Sequence, residues 1–394
     1  MESTSVAKKH DFLWLVLFLI VFINGFEAGG YQASLWDIGQ HYDLSITSMG
    51  LFAATELFAT MLAPLILGSW ADRHKKSFCI LIMLAIQLAA ALLVFFTTSN
   101  YVFVIGIFFL GLTTSALQFI SIAALADAYP VSGKKKIGFI TSMYALGALI
   151  SPLVVRFYLG IGMGWRTLFV LLASGSIIAI FGMTKSGSEP REFDQKRSEN
   201  IEKGKGEGRF LLFGIILLCI IMCIYVGFEN GFTFFIDTLF TDVLLSSNGK
   251  FALSLFWAVM IPARILVGYF SKYSTKILMS AVLIIPAVTA TLALNKNSTA
   301  VLLLCIPLGL ASGAIYPSCL TIMMSFAGKK TATATGMITT ATGIGGFAFT
   351  ALTGFVGDNF GMRTAMAVLA GFFIFSFIAA LCINEMVTKM KNEK

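Results

Sequence analysis

The chain has 394 residues, of which 57% are hydrophobic and only 12% charged, and its mean hydropathy is +0.87. A soluble globular domain carries about 25% charged residues, so the composition excludes one and points to an integral membrane protein whose surroundings are the lipid bilayer. The formal net charge of +8 gives no reason to expect a nucleic-acid partner, because the basic residues stand in short clusters between apolar runs, where they set topology.

A spanning helix needs about 20 predominantly apolar residues. Runs of that kind are expected over 12–36, 47–69, 78–97, 101–126, 137–160, 167–184, 210–239, 251–270, 277–294, 300–326, 332–357 and 364–384. They define an all-α integral membrane protein of twelve transmembrane helices in two six-helix halves. The first run follows Lys8 and Lys9, is longer than a signal-peptide core and lacks a small-residue cleavage site, so it reads as an uncleaved span. The polar stretch 185–209 is the expected linker, between an N-terminal bundle at 1–184 and a C-terminal bundle at 210–394.

Span 1 carries Asn24, Glu27 and Tyr31 at helical spacing, with Glu27 inside Gly25-Phe26-Glu27-Ala28-Gly29. An acid in the hydrocarbon layer is a functional-site candidate by itself. Glu56 near the middle of span 2 is another. Span 4 places Thr114, Gln118 and Ser121 on one face, and span 5 carries Arg156 in its interior. Span 7 repeats the first motif as Gly227-Phe228-Glu229-Asn230-Gly231, with Tyr225 and Thr233 one turn to either side. The span 4 polar positions meet Ser312, Tyr316 and Cys319 of span 10, and the Gly138 and Gly147 pattern of span 5 meets Gly336 and Gly345 of span 11. These matches indicate parallel six-helix repeats.

The glycines beside the two glutamates allow either close helix approach or a break that frees carbonyls for a cation. Each polar side chain other than the glutamates reads equally as an interhelical packing contact. Glu27 has Arg156 within plausible reach, either as a permanent ion pair or as a charge switch. Glu229 has no such partner in the repeat, since the residue matching Arg156 is Gly354. The expectation is therefore Glu27 with Arg156 as the switch and Glu229 as the direct contact for solute or cation. Asp37 and Asp237, near the span ends, read as solvated rim acids. All six cysteines, Cys79, Cys219, Cys223, Cys305, Cys319 and Cys382, lie within spans as packing residues, so neither a disulfide framework nor a metal site is expected.

Of the 28 Lys and Arg, only Arg166, Lys250, Lys296 and Arg363 stand in odd-numbered loops, and only Arg156 and Arg264 inside spans. The rest lie at the termini or in even-numbered loops, which puts both termini on the cytoplasmic side. After span 2 comes Gly68-Ser69-Trp70-Ala71-Asp72-Arg73-His74-Lys75-Lys76. With its weaker copy after span 8 (Gly268 to Lys272, preceded by Arg264) and the turns Gly164-Trp165-Arg166 and Gly361-Met362-Arg363, it resembles the major facilitator superfamily of secondary transporters. Lys75 stands where that family usually has a second glycine.

The resemblance implies a central cavity lined by helices 1, 4, 7 and 10 and opened to each side in turn. It also implies a cytoplasmic gate at Gly68, Asp72, Arg73, Lys76 and Arg264. The solute site would then be Asn24, Glu27, Tyr31, Thr114, Gln118, Tyr225, Glu229, Thr233, Ser312 and Tyr316, with Glu27, Glu229, Glu56 and Arg156 coupling it to an ion.

Gly309 to Pro317 and Ala145 to Pro152 are similar to spans 10 and 5 of the fucose- and glucose-type cation symporters. They imply uptake of a small polar solute, sugar-like or an organic acid, with a proton or sodium and no cofactor, by a monomer in a bacterial cytoplasmic membrane. A drug-type proton antiporter is the competing expectation, because Gly138, Gly147 and Pro152 keep that group's spacing, although Ser151, Val155 and Arg156 depart from it. A non-transporting membrane sensor is the alternative of another class. An enzyme is not expected, because His10, His41 and His74 lie in tails or loops and no nucleophile stands with a base.

Overall fold

The computed structural model describes residues 3–128, 133–186, 210–328 and 331–392. The linker expected at 185–209 lies almost wholly outside them. In lipid every backbone polar group must be satisfied internally, and the apolar runs accordingly form helices: α1 (Ser3–His41), α2 (Ile46–Arg73), α3 (Lys76–Phe96), α4 (Asn100–Ala128), α5 (Gly133–Gly160), α6 (Thr167–Ser186), α7 (Leu212–Thr238), α8 (Gly249–Tyr269), α9 (Ser274–Leu294), α10 (Ser298–Ala327), α11 (Thr331–Phe360) and α12 (Met362–Asn392). A π-turn, Leu239–Val243, extends α7, and a 3-10 turn, Ser271–Tyr273, follows α8.

Among the described residues, eleven helices are long and apolar enough to cross a membrane. The exception is α11, whose Thr- and Gly-rich sequence lowers its hydropathy although its 30 residues suffice in length. Its packing on α7 gives it the place that α5 has on α1.

The chain divides into two compact units, Met1–Pro190 and Arg191–Lys394. In the first, α1 packs on α4, α5 and α6, α2 on α4, and α3 on α4 and α6. In the second, α7 packs on α10, α11 and α12, α8 on α10, and α9 on α10 and α12. The pairing pattern is the same six helices on, as the repeat requires.

Both glycine-flanked motifs lie in unbroken helix, so they serve close approach and not helix breakage. A Cβ at Gly29 would stand 2.5 Å from Ser151 Oγ and 2.6 Å from the Ala148 carbonyl oxygen, and one at Gly25 would overlap the Tyr144 carbonyl. On α7, a Cβ at Gly227 would lie 2.6 Å from Phe349 Cγ and one at Gly231 2.5 Å from Thr353 Oγ1.

The turn arginines also repeat their role. Arg166 donates from Nη2 to the Thr97 carbonyl at 2.8 Å, closing the end of α3. Arg363 donates to the carbonyls of Ala293, at 2.9 Å, and Asn295, at 2.5 Å, closing the end of α9. Between α2 and α3, Lys75 has φ −61° and ψ 123°, an ordinary extended conformation. The turn therefore needs no glycine there, and the departure from the family pattern costs no backbone strain. Gly68 has open space around it, Arg73 is exposed and Lys76 begins α3. The Asp72 side chain lies outside the described residues.

Candidate functional site

On α1, residues 25 and 29 face α5. Residue 27, two positions from each, points about 200° around the helix at roughly 100° per residue, away from α5 and toward α4. There Thr114 donates from Oγ1 to Glu27 Oε2 at 3.3 Å, while its carbonyl accepts from Asn24 Nδ2 at 3.0 Å.

Gln87 of α3 extends this network, donating from Nε2 to Asn24 Oδ1 at 3.2 Å and to Thr114 Oγ1 at 3.5 Å. Its own Oε1 accepts from Ser176 Oγ of α6 at 3.1 Å. Glu27, Asn24, Gln87 and Ser176 are all fully buried. Four helices are thus tied together through one carboxylate and its neighbours. Gln118 is half-buried and stands outside the network.

Glu56 of α2 is buried beside Glu27, and Tyr31 lies within electrostatic reach of both acids. Glu56 is held there by a tight crossing, because a Cβ on Gly111 of α4 would stand 3.0 Å from Glu56 Cγ. Glu27 Oε1 and Glu56 Oε2 are buried with no hydrogen-bond partner. None of the ion pairs among the described residues involves either acid.

The expected pairing of Glu27 with Arg156 is not found: Arg156 is exposed on α5. The physical reason is the helix geometry just given. The glycines that dock α1 on α5 turn the acid between them to the opposite face.

In the second unit the same geometry turns Glu229 away from α11 and toward α8. Arg264 lies there, with Nη2 3.9 Å from Glu229 Oε2. Glu229 therefore does have a basic partner, which corrects the expected asymmetry, and Arg264 belongs to this cluster. The hydroxyls of Tyr225 (α7) and Tyr316 (α10) are within electrostatic reach of the guanidinium. The Tyr225 hydroxyl is buried beside both Glu229 and Arg264, and Arg264 Nε is buried without a hydrogen-bond partner.

Thr233 is buried and donates to the Asn230 carbonyl of its own helix at 3.3 Å. The Ser312 hydroxyl is buried and unpartnered. Asp237 is not a solvated rim acid: it is 3% exposed and pairs with Lys250 at 2.5 Å.

The sequence reading missed Gln87 and Ser176. Gln87 sits mid-way along the most apolar of the spans, and a lone amide there carries the signal that drew notice to the glutamates.

Two six-helix halves in one pairing pattern, each with polar and charged side chains gathered inside it, are the build of a membrane carrier of small solutes. The sequence matches the model of the Major Facilitator Superfamily over residues 17–350 and 246–394, and the chain belongs to that family. It is similar to the glucose/mannose transporter GlcP of Bacillus subtilis, at 22% identity over 79% of this chain and 80% of the relative.

Among solved structures it resembles a bacterial homologue of the human lysosomal transporter Spinster, with TM-score 0.80 and 15% identity over 96% of this chain and 98% of that one. It also resembles a D-xylose–proton symporter, with TM-score 0.72 and 13% identity over 94% and 96% of the two chains. The nucleoside transporter NupG superposes with TM-score 0.73 and 13% identity over 94% and 98%. The protein is thus a multi-pass integral membrane transporter of small solutes and not an enzyme.

Proposed function

We propose that the chain is a symporter that accumulates a small polar solute, sugar-like or an organic acid, by alternating access and at the expense of a proton or sodium gradient. The observation that carries this reading is the pair Glu27 and Glu56, buried side by side with no cationic partner among the described residues. Two negative charges in an apolar interior are costly unless something positive joins them, and one proton or one small cation would meet that need. Thr114, Gln87 and Ser176 tie Glu27 to three other helices, α4, α3 and α6, so occupancy of the acids bears on how the bundle packs.

The names of relatives that carry glucose, mannose and xylose support a hydroxylated solute. The Gly68, Arg73 and Lys76 positions support a gate at the α2–α3 turn, as in the family motif. The distribution of Lys and Arg supports cytoplasmic termini. We take the working unit to be one chain in a bacterial cytoplasmic membrane, since each chain carries both halves.

The experiment is uptake into proteoliposomes under an imposed proton gradient, then an imposed sodium gradient, across a panel of hexoses, pentoses, nucleosides and organic acids. The reading expects accumulation of at least one solute class with one of the two gradients. Equilibration of solutes without response to either gradient would overturn the symport.

A further inference from the structure

We propose that Arg264 is the docking point for an anionic group of the transported solute, a carboxylate that takes the place of Glu229 against the guanidinium. This rests on the transporter reading and adds the substrate class to it.

Among the described residues of the second unit two ion pairs bury charge, and they differ. Lys250 and Asp237 meet at 2.5 Å with side chains only 11% and 4% exposed, a closed contact. Arg264 and Glu229 stand at 3.9 Å through a single nitrogen, with side chains 36% and 14% exposed. A guanidinium offers five N–H donors in a planar fork suited to a carboxylate taken two-handed. Here one edge faces a distant acid, and Nε is buried with nothing to accept its proton.

The Tyr225 hydroxyl, also buried, lies beside both the guanidinium and Glu229. Tyr316, 39% exposed on α10, is also within electrostatic reach of the guanidinium. The cluster is rich in donors, and among the described residues Glu229 is its only anion. A small carboxylate supplies the missing acceptors.

Charge accounting links this site to the cation. Arg264 and Glu229 are neutral together. Adding the solute's carboxylate leaves one negative charge, and a proton or cation taken up with the solute restores neutrality. Glu229 is then both the guard of Arg264 in the unloaded protein and the competitor that the solute displaces.

The test uses the purified full chain in lipid nanodiscs, with D-glucuronate and pyruvate as anionic probes and D-glucose as the neutral match. Wild type is expected to gain about 5 °C in melting temperature at about one hundred times Kd of an anionic probe, with no shift from glucose. Arg264→Gln loses the shift, Arg264→Lys reduces it, and Glu229→Gln binds the anion more tightly because the internal competitor is gone. Should Arg264→Gln not fold, with its buried acid left unpaired, the double variant Arg264→Gln/Glu229→Gln removes both charges and must also lose the shift.

The proposal is overturned by an anion shift that survives in Arg264→Gln or in the double variant, by a shift from glucose alone, or by no shift from any probe. Exchange of labelled glucose in proteoliposomes separates the two levels. If glucose exchanges and no anion stabilises the protein, the transporter reading stands and this one falls; if no solute of the panel exchanges, both fall.

Discussion

The contact of α1 with α5 can be probed by adding a single methyl. At Gly147 a Cβ would stand 2.5 Å from Phe26 N and 2.9 Å from Gly25 C, and closer still to the Phe22 carbonyl oxygen. Ordinary carbon contacts are about 3.5–4.0 Å, so the helices must part by on the order of 1 Å, and no rotamer change relieves a clash with backbone. Overpacking of this kind costs roughly 1–3 kcal/mol, against about 0.8–1.0 kcal/mol regained from replacing glycine within a helix.

Gly147→Ala should therefore lose up to about 2 kcal/mol and melt below the wild type in a thermal scan of the purified protein. Two controls bracket it. At Gly30 the added methyl meets only the flexible tip of Leu168, and at Gly336 it meets nothing within 4 Å. Gly30→Ala should be nearly neutral, and Gly336→Ala should gain up to about 1 kcal/mol. If Gly147→Ala melts with or above Gly336→Ala, the backbone contact of α1 with α5 does not exist.

Other consequences are open to the same assay. Asp237→Asn leaves Lys250 buried without its partner and should cost about 3–5 kcal/mol, and Lys250→Met in the same chain should recover most of it. Arg363→Ala strips a donor from the carbonyls that end α9, for a loss of about 1–3 kcal/mol. Lys75→Gly restores the residue usual in the family but only loosens the unfolded chain, so it should lower stability by about 0.4–1 kcal/mol and not raise it; a gain would show that the turn is strained.

The helices were legible because a spanning segment must bury its backbone bonds and present apolar side chains, both of which leave a long hydrophobic run. Their ends were less so: α1 reaches His41 where the apolar run stops at 36, since a helix can continue past the hydrocarbon layer. Even α11, the one helix of the twelve that falls short in hydropathy, was legible as an apolar run over 332–357, and its repeat match to span 5 agrees.

Partners across helices were harder, because a repeat indicates where a residue's counterpart lies and not what it touches. Seeking Glu229's partner at the position matching Arg156 led to Gly354, while the true neighbour stood on the adjoining helix. The signal was present: Glu229 lies 14 residues before Val243 and Arg264 15 after Gly249, which puts them at one depth on two antiparallel helices. The Gly-x-Glu-x-Gly spacing likewise held the facing of Glu27, once the glycines are assigned to a neighbouring helix and the acid to the far side.

The central claim is that Glu27 carries the coupling charge, and Glu27→Gln in proteoliposomes tests it most directly. Glutamine copies the protonated acid in shape and charge, so exchange of labelled solute across an ungraded membrane should persist. Gradient-driven accumulation should be lost, since the site can no longer load and unload an ion. Accumulation by Glu27→Gln equal to that of the wild type would contradict the account.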